Sequence, residues 1–406
     1  MKKLIPIIAV SVILFLIVGY FTFNYTVKKI TEREVKRITQ QEIDRITKEE
    51  TDKINQSEID KITDEIINQR TKEITKQMMG DNGETETLET KCDLKPKQRE
   101  FSKSPYYEGP LIDNHVHLPV ASKIVSEVAM QSGFKDMPYV GDIPIGSIAC
   151  IFESEGIKNA YGFFLMPNAA LSSSVQSAKN TKEKYPNQFI PFFMPPPIAS
   201  LHPDISDVEK TILSSKGVFK GIGEIAVYHY PSDVKLDDSY FLELYRIADE
   251  NKLIVMIHPR PGEQEAVEKI VKAYPNVKFL FHGEAWVADL FDKYPNIYFS
   301  VDATGTHIYG TDAVHKNRKL TKEEWLAYFR ENFDSSLNEV VGKWKAKIEK
   351  HPDRFLWGTD RWYSWHFDYE VGGLIEEFSR SFIGQLDPKV QEKFAYKNAE
   401  NLISQN

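Results

Sequence analysis

Leu111-Ile112-Asp113-Asn114-His115-Val116-His117 is a short apolar run that ends in two histidines. In a strand, residues two apart point to the same face, so the imidazoles of His115 and His117 can reach one ion. Seven more apolar runs follow, at 160–166, 188–194, 218–227, 253–257, 277–281, 297–301 and 355–357. Amphipathic stretches at 240–250, 263–273 and 285–292 separate several of them. Helices between buried strands mean parallel βαβ units. Eight such strands in about 250 residues predict an α/β fold, a (β/α)8 TIM barrel. Tyr-Pro-Asn tripeptides beginning at Tyr185, Tyr274 and Tyr294 mark returns from helix to strand, where Pro and Asn belong.

Active sites of such barrels lie where strands end and loops begin. The first run ends in His115 and His117, the fourth in Gly223-Glu224, the fifth in His258-Pro259-Arg260, the sixth in His282-Gly283 and the eighth in Gly358-Thr359-Asp360. Singly, each has an ordinary reading: a lone histidine is more often a satisfied core or surface residue, and Asp360 could cap a helix. Their joint occurrence at five strand ends is what points to chemistry. Two carboxylates buried together without a cation would repel each other at a heavy desolvation cost. A divalent metal removes that cost, and imidazole with carboxylate suits zinc first, with manganese or iron as alternatives.

The constellation resembles the amidohydrolase superfamily, in particular the amidohydrolase-related branch of aminocarboxymuconate-semialdehyde decarboxylase-like enzymes. The resemblance covers about 105–405 and rests on the motifs at 111–117, 221–224, 257–259, 281–283 and 355–360, and on the closing Lys-Asn-Ala-Glu-Asn-Leu at 397–402. It implies that His115, His117, His258 and Asp360 are metal ligands. It also implies that His282 binds a second metal or polarises the substrate or a metal-bound water. Many relatives carry a carboxylated lysine at the end of the fourth strand. Here Glu224 holds that place, as in the TatD-type nucleases, and Lys220 lies about 13 Å lower along the strand. A bridging Glu224 implies two ions, and a Glu224 behind the ligands implies one.

The expected activity is metal-dependent hydrolysis of a C–N or C–O bond in a small substrate. A divalent ion makes water nucleophilic near neutral pH. Asp360 is the expected general base, His282 the expected polarising group, and Arg260 a candidate for pairing with a substrate carboxylate. Arg361, Trp362 and Tyr363 are candidates to line the pocket. The long segment 303–353, with His307, His315 and a Trp-bearing helix, is a candidate lid. The rivals are a non-oxidative decarboxylase on the same ligands and a tethered barrel with no catalysis.

The N-terminal quarter has another character. Residues 4–23 form a run of 20 uncharged, mostly apolar residues, long enough to span a bilayer as a helix. No small-residue cleavage site follows, so an uncleaved anchor over 1–25 is expected, with the barrel exported. Over 26–79, Ile30, Ile38, Ile46, Ile54 and Ile62 recur every eight residues. An octad drifts by about 80° per repeat on an ordinary helix, which favours an exposed helical stalk over a coiled coil of identical chains. Residues 80–104 have the composition of a flexible linker, and 105–406 are the barrel. The whole 406-residue chain carries a net charge of −8, and the acidity sits in the barrel. That argues against nucleic acid and for a small-molecule substrate, with the membrane as a further partner and a homo-oligomer left open. Two cysteines, Cys92 and Cys150, exclude a disulfide scaffold and any four-cysteine zinc site.

Overall fold

A computed structural model describes residues 92–101, 105–120, 125–126, 143–302 and 321–404. Each of the eight apolar runs becomes a strand. They are β1 Leu111–His117, β2 Ile157–Leu165, β3 Phe189–Met194, β4 Gly221–Ala226, β5 Ile254–His258, β6 Phe279–Phe281, β7 Ile297–Asp302 and β8 Phe355–Gly358. They pair in chain order, every neighbour parallel, as strands buried on both faces do.

The barrel is nearly closed. Among the described residues the seam between β1 and the chain just past β8 has one bridge, Val116 to Arg361, with the His117 N–H donating to the Arg361 carbonyl at 3.0 Å. Side chains complete it. Asp113 accepts the Thr359 backbone N–H at 2.9 Å and the Thr359 hydroxyl at 2.5 Å, and the Asn114 amide donates to the Trp357 carbonyl. The closing Asn-Ala motif serves the opposite end. The Asn398 amide donates to the carbonyls of Pro352 and Phe355, both at 2.8 Å, and pins the chain terminus to the start of β8.

The outer layer contains α1 Ile145–Ser154, α2 Leu171–Lys184, α3 Ile205–Ser214, α4 Ser239–Asn251, α5 Gln264–Ala273, α6 Lys322–Lys350 and α7 Tyr369–Gly384. Short α8 Pro388–Glu392 and α9 Asn398–Ser404 follow. The expected helix at 285–292 is instead a 3-10 turn, Ala285–Leu290. The Trp-bearing helix expected in a lid is α6, a wall of the barrel. It starts at a capping box in which Thr321 and Glu324 satisfy each other's backbone N–H groups. It buries Trp325 and Trp344, and the Trp344 ring lies 5.2 Å from Phe299 of β7. His307 and His315 lie outside the described residues.

The expected linker ends earlier than its composition suggests. Cys92 is disulfide-bonded to Cys150 of α1. The backbone N–H groups of Glu100 and Phe101 donate to the two oxygens of buried Glu377 at 2.8 and 2.6 Å. Phe101 stacks on Phe333 with ring centres 4.0 Å apart. Residues 92–101 are therefore an arm of the barrel, because three kinds of contact outweigh their polar composition. The apolar run 4–23 and the octad segment 26–79 lie outside the described residues. Among the described residues no helix is long and apolar enough to cross a membrane.

Candidate metal centre

The strand ends bring their polar side chains together at one mouth of the barrel. His115 and His117 leave β1 on one face, and their Nε2 atoms both approach the same two oxygens. From Glu224 Oε2 they lie at 3.7 and 3.5 Å, and from Asp360 Oδ1 at 3.5 and 3.3 Å. Ligand atoms held about 2.1 Å from a tetrahedral zinc ion stand about 3.4 Å apart, so each of these four separations suits a pair of ligands on one ion. His115 is fully buried, and its Nε2 has no hydrogen-bond partner. An orphaned imidazole nitrogen among carboxylate oxygens is the arrangement a divalent ion would satisfy.

The other oxygen of Glu224 faces a second pair. His282 Nε2 lies 2.8 Å from Oε1 and His258 Nδ1 lies 3.3 Å from it. Glu224 thus stands between two groups of imidazoles, His115 and His117 on one side and His258 and His282 on the other. Both three-residue donor groups among the described residues share it, His115–His117–Glu224 and Glu224–His258–His282, and a four-residue group joins His115, His282, Asp302 and Asp360. Burial alone would raise the Glu224 carboxyl, but His282, His115 and His258 hold it well below the usual carboxylate range.

Burial and the His115 imidazole disfavour charge on His282. Glu224 and Asp302 outweigh them and push its pKa up to about 9. Burial also pushes the Asp113 carboxyl up to about 7, although Arg361, Thr359 and the His115 backbone N–H all work against it. Asp360 has a φ of 51°, a left-handed conformation unusual outside glycine, where the chain turns off the end of β8. The turn brings its carboxylate to the cage, so the helix-cap reading of Asp360 does not apply. At 22% side-chain exposure it is the more open of the two cage carboxylates, Glu224 showing 5%.

Asp302, at the end of β7, belongs to the site and was not among the residues expected there. Its Oδ2 lies 3.2 Å from His115 Nδ1 and 3.0 Å from His282 Nδ1, and its Oδ1 accepts the Ser300 hydroxyl at 2.6 Å. The apolar run at 297–301 stops one residue short of it. The alternation of Ser300 and Asp302 on one strand face is the signal that would have found it.

Arg260, expected to pair with a substrate carboxylate, lies against the loop after β4. Its guanidinium donates to the carbonyls of Val234 at 3.0 Å, Tyr230 at 2.8 Å and Pro231 at 3.0 Å, and to that of Val227. These bonds clamp the loop after β4 and engage both terminal guanidinium nitrogens with backbone carbonyls. The same loop carries Tyr228, whose ring lies 4.4 Å from that of His258 and is 46% exposed at the mouth. His282 likewise has both ring nitrogens facing carboxylates and is 2% exposed, which suits a ligand better than a group polarising substrate. Of the three residues after Asp360, Arg361 is wholly buried, and Trp362 stacks on Tyr363 with ring centres 4.2 Å apart.

A parallel eight-stranded barrel with histidines and carboxylates gathered at its strand ends is the layout of a barrel enzyme with a candidate metal centre. Residues 186–404, just over half of the chain, match the family model described as amidohydrolase, and the chain belongs to that family. The match takes in Glu224, His258, His282, Asp302 and Asp360, while His115 and His117 precede it. Three solved structures are similar. An uncharacterised TIM-barrel protein from Bordetella bronchiseptica is 16% identical, with 73% of this chain and 99% of that one covered and a TM-score of 0.44. An amidohydrolase from Burkholderia multivorans with bound zinc is 12% identical, with 73% and 99% covered and a TM-score of 0.46. A dihydroxybenzoic acid decarboxylase from Polaromonas with bound manganese is 16% identical, with 73% and 97% covered and a TM-score of 0.39. No curated protein matches the sequence.

Proposed function

We propose that the chain is a metal-dependent hydrolase that cleaves a C–N or C–O bond of a small substrate at the mouth of the barrel. The observation that carries this reading is the cage of His115, His117, Glu224 and Asp360, with four nitrogen–oxygen separations of 3.3 to 3.7 Å. His115, His117, Glu224 and Asp360 would hold one ion. Glu224, His258 and His282 would hold a second, with Glu224 shared. A divalent ion bound there supplies the positive charge that makes water nucleophilic at neutral pH.

The chain's own residues do the rest. Asp360, the more exposed cage carboxylate, takes the proton of the attacking water. As the water oxygen adds to the scissile carbon and the C–N or C–O bond breaks, Asp360 returns that proton to the leaving nitrogen or oxygen. His282 and Glu224 keep the charge balance of the pocket. Tyr228 offers the substrate an apolar face beside His258.

The test is elemental analysis of the purified full chain after incubation with zinc, manganese or iron, followed by turnover of amides, esters and lactones in water labelled with heavy oxygen. Retained metal and label in the product support the reading. Release of carbon dioxide without label would move the chain to the decarboxylases. No retained metal and no turnover would leave a barrel without catalysis.

The anchor and stalk belong to the same proposal. The 20-residue apolar run at 4–23 supports a single-pass tether. The Cys92–Cys150 disulfide supports a barrel placed in an oxidising compartment, because such bonds rarely persist among cytosolic thiols. Alkylating the chain in intact cells before and after reduction checks this. Two thiols modified only after reduction, in the membrane fraction, are expected. Modification without reduction, or recovery in the soluble fraction, would overturn it.

A further inference from the structure

His115 and His282 are strung between the same two carboxylates. Each presents Nδ1 to a single oxygen, Asp302 Oδ2, at 3.2 and 3.0 Å. Each presents Nε2 to Glu224, His115 to Oε2 at 3.7 Å and His282 to Oε1 at 2.8 Å. The two rings lie 4.5 Å apart and nearly perpendicular, at 77°, so one oxygen can receive both N–H groups in the planes of two different rings. Asp302 is itself fixed, since its Oδ1 accepts the Ser300 hydroxyl. Space for it is reserved by Gly358, where a Cβ would meet Asp302 Oδ1 at 2.4 Å and the Ser300 oxygen at 2.6 Å.

From this geometry we infer that Asp302 is the positioning residue of the centre. It holds the Nδ1 proton on both His115 and His282 and thereby turns both Nε2 atoms toward Glu224, one into each half of the site. It acts through the two rings and touches neither substrate nor reacting atoms. A carboxylate accepting the distal N–H of a ligating histidine sets the ring's tautomer and orientation, and its loss weakens metal binding 10- to 100-fold. Here one carboxylate would do this for two rings, coupling the halves through a single side chain. A carboxylate suits this place because it can receive two N–H groups on one oxygen and offers no competing donor.

The inference rests on the metal-centre reading, but its test does not. The full chain labelled with nitrogen-15 in histidine is examined by NMR, metal-free and zinc-loaded, for imidazole N–H protons protected from exchange. Two Nδ1–H resonances, from His115 and His282, are expected in both forms. Asp302→Ala should lose both and weaken zinc affinity, measured by competition with a chromophoric chelator, by 10- to 100-fold. Gly358→Ala, whose Cβ would crowd Asp302 without removing its charge but also stand 3.3 Å from the His115 Cβ, should lose the His282 resonance, and that loss decides the matter if Asp302→Ala does not fold. Persistence of both resonances in the variant that folds, or zinc affinity within twofold of wild type, would overturn the role of Asp302. A wild type that binds no zinc yet shows both resonances would instead count against the metal reading and leave the positioning role standing.

Discussion

Arg361 donates to both carboxylate oxygens of Glu155, Nη1 to Oε1 at 3.1 Å and Nη2 to Oε2 at 2.7 Å, one residue beyond Asp360. The pair is buried, and burial raises the Glu155 carboxyl while Arg361 draws it back down. A buried pair is weak support for stability as a whole, but removing one partner strands the other's charge. Glu155→Gln is therefore expected to destabilise the barrel by about 3–5 kcal/mol in urea unfolding. Replacing both residues by methionine should cost less than either single change. A double variant as unstable as the sum of the two singles would contradict this account.

Gly283 has a φ of 79°, and a Cβ there would meet His258 Nε2 at 2.2 Å. Gly283→Ala must move the ring of His258 or the turn after β6. We expect circular dichroism to show a folded barrel, with zinc affinity about tenfold weaker or worse, a cost of the size expected for a strained backbone position. Unchanged affinity in chelator competition would show that His258 is not a ligand.

Burial raises the Glu376 carboxyl from 4.5 to about 7, Arg380 opposing the shift and Glu155 adding to it. Between these values the folded chain keeps a proton that the unfolded chain has released. The contribution is whole below 4.5 and is lost as pH rises through 7, so stability falls with rising pH across this window. A shift of this size corresponds to about 3 kcal/mol, and the side chain is only 14% exposed. Glu376→Gln, which stays neutral, should gain stability relative to wild type by up to that amount between pH 4.5 and 8. An equal difference at pH 5 and pH 8 in urea unfolding would refute the assignment.

The Cys92–Cys150 bond closes a loop over a sequence separation of 58. By chain entropy that is worth about 4 kcal/mol. Reduction, or Cys92→Ser, should lower the melting temperature of the full chain and raise hydrogen exchange at Glu100 and Phe101, whose N–H groups are held by Glu377. Exchange at β4 and β5 should change little below the transition. Uniform loss of protection would mean that the arm and barrel unfold as one unit.

Much of the fold was legible in the sequence, and for a local reason. Strands buried on both faces must be apolar runs, and helices between them must be amphipathic, so the eight runs and the stretches separating several of them can be read without knowing any contact. The histidines and carboxylates of five strand ends could be read in the same way. The exceptions are places where a local signal was ambiguous. Ala285–Leu290 has the apolar spacing of a helix but forms a 3-10 turn. The arm at 92–101 has the composition of a linker but is held by contacts to residues far along the chain.

What the sequence by itself determined is the set of strands, their order and which of their ends carry histidines and carboxylates. Periodicity and residue type are properties of neighbours along the chain. Only the tertiary structure decided that the two oxygens of Glu224 face different pairs of histidines, and that Arg260 donates to the carbonyls after β4. It alone joined Arg361 to Glu155 across 206 residues and Asp302 to His115 across 187. The physical reason is that a side chain's partner is set by closure of the barrel, which brings together strand ends that have no relation in sequence.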